Sequence, residues 1–248
     1  VIKPAFVRPF DEVTTVGKVF TTPLVVKGKT WFPIAQLITW PIMAWVAKKR
    51  IPERSWLKCF GIGALTMPVV LGSEWCHNLA HATAARLIGK PMDAIRITWG
   101  MPLVVYYEIN DETVTPRQHI IRALGGPLFN LFILPVALLF KQRTSPKSVA
   151  RDIASAALGT NLFIPAVGLL PIPGIDGGSI LKWSLVARGR TPEAADMTVR
   201  KVDGMLGIAL ALAGAFSFKK RRWLLGGLFM EFAILALSIA LGILKEHE

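Results

Sequence analysis

Cysteine is nearly absent from this chain: two residues in 248, Cys59 and Cys76, which exclude a disulfide framework. Acidic residues are scarce as well, 16 Asp and Glu against 29 Lys and Arg, for a net charge of +13. A balance this basic raises nucleic acid as a partner. The basic residues, however, gather at the ends of apolar runs, as in Lys48-Lys49-Arg50 and Lys219-Lys220-Arg221-Arg222. That placement suits anionic headgroups, so no nucleic-acid binding is expected, and membrane lipids are. Internal repeats and low-complexity tracts are also missing. Residues 1–30 are too polar, and too broken by Pro4, Pro9 and Pro23, to hold the apolar stretch of a secretory signal.

What the chain does have is apolar residues, 52% of the total, gathered in runs too long for strands. Trp31–Ala47, Phe60–Ile88, Ile120–Phe140, Ile153–Ile175, Gly204–Phe218 and Trp223–Leu244 carry few charges or none over most of their length. A helix needs roughly 20 mainly apolar residues to cross the hydrocarbon, fewer where flanking residues snorkel. The expectation is a multi-pass integral membrane protein with about six transmembrane helices. Its parts read as an extended arm over 1–30, lying on the membrane surface or on a partner; a first transmembrane helix and basic loop over 31–56; a core over 57–187; and a connector with a helical hairpin over 188–248. Between the second and third segments, Ala94–Trp99 and Leu103–Ile109 are strand-like and flank Gly100-Met101-Pro102. Trp31, Trp40, Trp45, Trp56 and Trp223 near segment ends suit an interfacial belt.

The chemistry concentrates in Ser73-Glu74-Trp75-Cys76-His77-Asn78-Leu79-Ala80-His81, inside the second segment. Histidines four residues apart share a helix face one turn apart, so both imidazoles can reach one metal ion. Two hydrogen-bonded histidines in a helix bundle are the simpler alternative, but ionisable groups at membrane depth usually have a function. The fourth segment ends Leu169-Leu170-Pro171-Ile172-Pro173-Gly174-Ile175-Asp176-Gly177-Gly178. Its prolines deny the backbone helical hydrogen bonds, and irregular backbone at this depth must be buried in protein or line a wet cavity. Asp176 there calls for a cation. Two histidines and a carboxylate with an open fourth position make a catalytic zinc site.

These two motifs, with Gly126-Pro127-Leu128-Phe129-Asn130 between them and Ala85-Arg86 and Gly89 after the first, resemble the site-2 protease family of intramembrane zinc metalloproteases. The resemblance covers about residues 60–185. It implies a three-helix core holding zinc through His77, His81 and Asp176, with a membrane-associated β-hairpin after the first motif helix; the fold class is thus all-α apart from that hairpin. It also implies polar contacts to substrate or core from Asn130 and Asn161. In such proteases a substrate segment pairs with the sheet edge.

Two positions depart from the family. Its first motif is His-Glu-x-x-His, and here Asn78 stands where the general base belongs. An amide has no titratable proton near neutral pH, so it cannot pass one to a leaving amine. Gly168 stands where the family usually has an asparagine beside the substrate, so a polar side chain is lost. Glu74 lies one turn before Asn78, ~6 Å along the axis, while a base needs about 2.6–3.2 Å or one bridging water. A partner for a membrane-facing Arg, or a supporting role at a ligand histidine's second nitrogen, suits it better. The expectation is a pseudoprotease acting as a binding, scaffolding or assembly subunit of a membrane complex with other membrane proteins as partners. The alternative is an active endopeptidase cleaving transmembrane substrates, with Glu74 as substitute base.

Overall fold

A computed structural model describes residues 5–7, 12–108 and 110–247 of the protein. The chain divides into two compact units, one of Glu12–Tyr106 with Leu124–Gly168, the other of Val1–Asp11, Tyr107–Ala123 and Leu169–Glu248.

In the unit that carries the histidines, α1 (Ile34–Arg50) and α2 (Trp56–Leu87) form an antiparallel pair. Three cations, Lys48, Lys49 and Arg50, end α1 where its carbonyl dipoles favour positive charge. Ser55 caps α2, its hydroxyl accepting from the Lys58 N–H at 3.3 Å. With 32 residues, α2 spans roughly 48 Å at ~1.5 Å per residue, more than the hydrocarbon needs. Most of α3 (Pro116–Arg143) and all of α4 (Val149–Gly168) complete the helices of this unit. One end is pinned by Asp152 on α4, which meets Arg50 at 2.7 Å and Arg54 at 2.8 Å. The two guanidiniums also donate to the carbonyls of Ser148 and Lys147, so the loop after α1 is tied to the loop before α4.

The same unit holds a four-stranded sheet in the order β2 (Thr14–Val19), β3 (Thr22–Val26), β4 (Ala94–Thr98) and β5 (Met101–Val105). The expected hairpin is β4–β5, antiparallel, with Ala94 opposite Val105 and Thr98 opposite Met101. Its strands are shorter than the sequence suggested, because Trp99 and Gly100 both take positive φ (53° and 89°) and close a tight two-residue turn. The larger correction concerns the N-terminal arm and, with it, the all-α class. Residues 14–26 form a second hairpin of this same chain, and β3 joins β4 in parallel, Leu24 opposite Ile95. Without β3, one side of β4 would be an open edge with unpaired N–H and C=O groups; β3 covers it, and Val25 and Val26 are buried at 3% and 6% exposure. The first residues of the arm, 1–4 and 8–11, lie outside those described.

In the other unit, α5 (Asp176–Val186), α6 (Pro192–Lys219) and α7 (Trp223–Ala240) follow one another, and α6 packs closely along α7. Ile172, Ala236 and Ile239 form its core. A short parallel pair joins β1 (Ala5–Val7) to β6 (Lys245–His247). The buried Lys182 ammonium donates to Asn110 at 2.6 Å and pairs with Asp196 at 2.8 Å. His119 stacks flat on Trp183 at 3.7 Å.

All six expected apolar segments fall on helices, with altered bounds. The fourth stops at Gly168 rather than Ile175, and the fifth begins at Pro192, capped by Thr191, rather than at Gly204. Among the described residues, four helices, α2, α3, α6 and α7, are long and apolar enough to cross a membrane; α1 has 17 residues, and α4 carries Arg151 and Asp152 in its first turn. Large apolar side chains stand exposed along the four, Phe132 at 73% and Leu224 at 69% among them, as lipid-facing surfaces require. The protein is an integral, multi-pass membrane protein.

Candidate metal centre

His77 and His81 are buried on α2 with their Nε2 atoms 3.0 Å apart. Two nitrogens bound at about 2.0–2.1 Å across a tetrahedral angle lie ~3.3 Å apart, so the pair is nearly spaced for one zinc ion. The opposing surface is Gly126 of α3. A Cβ there would overlap His77 Cε1 and the Nε2 atoms of both rings. Any side chain at 126 would therefore fill the space a metal needs, and only glycine leaves it open.

Helix α3 comes this close because Gly125 also lacks a side chain: a Cβ would meet the Ala80 carbonyl at 2.8 Å. Pro127 has no N–H, and the Gly126 N–H points to His81 Nδ1 at 3.3 Å. On its far side His77 Nδ1 lies 2.6 Å from Asn130 Oδ1. The Asn130 amide donates to Asn161 Oδ1 at 2.8 Å, and the Asn161 amide donates to Ser73 Oγ at 3.0 Å and to the Ala157 carbonyl at 2.9 Å. Both carboxamides are essentially unexposed, at 0% and 2%.

Asp176 opens α5 as its first residue. The irregular stretch Leu169–Ile175 folds back over that helix start, because a Cβ at Gly177 would overlap the Leu169 and Leu170 carbonyls, and one at Gly178 the Ile172 carbonyl. His77, His81 and Asp176 form a group whose ligand atoms all lie within 4.8 Å of one another. Two imidazoles and a carboxylate are a donor set that suits zinc.

Asn78 is buried beside the ligands but turns back along its own helix, donating to the Glu74 carbonyl at 2.9 Å and to Glu74 Oε1 at 3.3 Å. Glu74 thus sits closer to residue 78 than the helix rise alone suggests, since both side chains lean into the gap. Gly168 is the last residue of α4. Cys76 is exposed and Cys59 buried. Sequence reasoning passed over Ser73 and Gly126 as site residues. The signal was there: each precedes a named site residue, His77 and Asn130, by one helical turn and so shares its face.

No family model matches the chain. A protein of Methanocaldococcus jannaschii named "Putative zinc metalloprotease" is 29% identical over 133 residues, 47% of this chain and 69% of the relative. The solved site-2 protease of the same organism superposes with a TM-score of 0.54 at 15% identity, covering 92% of this chain and 96% of that one. The chain therefore has the fold of a site-2 protease. The first likeness is one of sequence and the second one of fold.

Proposed function

We propose that the protein is a zinc-binding membrane pseudoprotease: it keeps the family's metal-holding core and serves as a binding or assembly subunit of a membrane complex. The carrying observation is Asn78, whose amide stands where the family's base stands and donates to Glu74. Zinc held by His77, His81 and Asp176 would supply Lewis acidity at the site. Proton transfer by a positioned base typically contributes ~10²–10⁴-fold, and an amide supplies none of it. Gly168 adds no polar side chain to hold a substrate strand. For partner binding, support comes from β2, an outer strand of the sheet with Val16 exposed, whose edge can accept another chain.

The test has two parts. Incubation with helical membrane substrates is expected to give no zinc-dependent cleavage, and gentle extraction from its native membrane is expected to bring a stoichiometric partner. Asn78→Glu alone should restore little activity, and Asn78→Glu with Gly168→Asn should restore the most.

One observation favours a second reading, an active endopeptidase. The Glu74 carboxylate reaches the position-78 side chain, so a water there could contact it. Cleavage by the unmodified protein that Glu74→Gln abolishes would establish this reading and end the first.

A further inference from the structure

The buried amides behind His77 can be assigned from a single fixed point. The Ala157 carbonyl only accepts hydrogen bonds, so the Asn161 atom 2.9 Å from it is the NH2 nitrogen. That nitrogen spends its second hydrogen on Ser73 Oγ, whose own hydrogen goes to the Val69 carbonyl at 2.8 Å. Asn161 Oδ1 then faces Asn130 and must receive the Asn130 NH2. Asn130 Oδ1 in turn faces His77 Nδ1, which must carry a hydrogen. In the neutral ring the lone pair then lies on Nε2, the nitrogen beside His81 and Gly126.

The geometry points to Asn161 as a positioning residue: acting through Asn130, it locks His77 in the tautomer and orientation that present Nε2 to the metal site. Three helices contribute, α2 with Ser73 and His77, α3 with Asn130 and α4 with Asn161, so the lock is tertiary. Both hydrogens of the Asn161 amide go to protein groups, a core contact of the kind expected for Asn161 as one of two alternatives. Losing this amide would leave the Asn130 NH2 buried without its acceptor and the carboxamide free to rotate, presenting either end to His77. The inference deepens the zinc-binding reading and rests on it for metal affinity alone.

The test uses the full-length protein in detergent, labelled with 15N-histidine and free of metal. Ring-nitrogen spectra separate a protonated Nδ1 from a bare one, and His77→Ala identifies the His77 signals. The wild type is expected to show His77 protonated at Nδ1 only. Asn161→Leu should lose that single tautomer, while Asn130→Asp, which keeps an acceptor at Nδ1, should retain it. In chelator competition Asn161→Leu should weaken zinc binding ~10–100-fold, the usual range for a partner of a ligand histidine. A His77 spectrum unchanged by Asn161→Leu overturns the proposal whatever the metal result. If the wild type binds no zinc, the metal reading falls and the spectrum alone decides this one. Should Asn161→Leu fail to fold, Ser73→Ala removes only the outer acceptor. It should broaden the His77 Nδ1 signal, and an unchanged signal counts against the proposal.

Discussion

Gly126→Ala adds one methyl group at the point where α3 faces both imidazoles, so it separates the metal site from the fold. The new Cβ would lie well inside contact distance of His77 Cε1 and of both Nε2 atoms, while ordinary contact begins at 3.4 Å. The rings or α3 must therefore give by roughly 1 Å, and metal–ligand distances tolerate only about ±0.2 Å. Zinc affinity should fall by more than the ~10–100-fold seen when a ligand's supporting partner is lost. The fold should suffer much less. Overpacking costs typically ~1–3 kcal/mol, and alanine returns about 1 kcal/mol over glycine within a helix, so the net loss is about 0–2 kcal/mol. Metal content after chelator-free purification, zinc affinity by competition and thermal unfolding give the three readouts. Gly125→Ala is the control: its Cβ meets the Ala80 carbonyl at 2.8 Å and should lower stability more than metal content. One equivalent of zinc bound by Gly126→Ala at wild-type affinity would refute the placement of the site.

Asp152→Leu removes the counter-charge of Arg54, which is 6% exposed, and breaking one partner of a buried pair costs about 3–5 kcal/mol; thermal unfolding within a degree of the wild type would contradict this. Asp203 on α6 is fully buried, and neither carboxyl oxygen has a hydrogen bond among the described residues. Replacing an unpaired buried polar group removes a penalty of ~1–3 kcal/mol, so Asp203→Val should raise the unfolding temperature, and a lowered one would mean the carboxyl has a role in the fold.

Much of the architecture was legible because helices long enough to cross a membrane leave few alternatives. Uncharged runs gave the helices, and the His77/His81 spacing with Asp176 after two prolines gave the metal group. The N-terminal arm was illegible for a physical reason. Pro23 and Gly17 interrupt the alternation that marks a strand, and β3 owes its existence to the edge of β4, some 70 residues away in sequence. Tertiary pairing of that kind leaves little local trace. The start of α6 was hidden by its charges: Glu193, Asp196, Arg200, Lys201 and Asp203 read as a loop between apolar segments, although Thr191 and Pro192 are a good helix start. The relay behind His77 was half visible. Asn130 and Asn161 were named as polar contacts to substrate or core, but their hydrogen bonds toward His77 depend on how three helices meet.

Among the described hydrogen bonds, those that fix His77 and those made by Asn78 run in different directions. His77 is held through Asn130 and Asn161 on other helices, whereas the Asn78 amide, among the described residues, donates backward along α2, to Glu74. Nothing in the His77 relay requires any particular side chain at 78, so an exchange there leaves that relay standing. The return path is less free. A glutamate at 78 would place a second carboxylate one turn from Glu74, where an amide now donates. Like charges at this spacing cost an exposed helix about 0.2–0.5 kcal/mol, and more in a buried setting where the field is less screened. Asn78→Glu should therefore be less stable than the wild type, and Asn78→Glu with Glu74→Gln should recover the loss, since glutamine can donate to the new carboxylate. Equal stability of the two variants in thermal unfolding would show that residues 74 and 78 are not coupled. A tolerated glutamate would then have to be explained by contacts other than the pair described here.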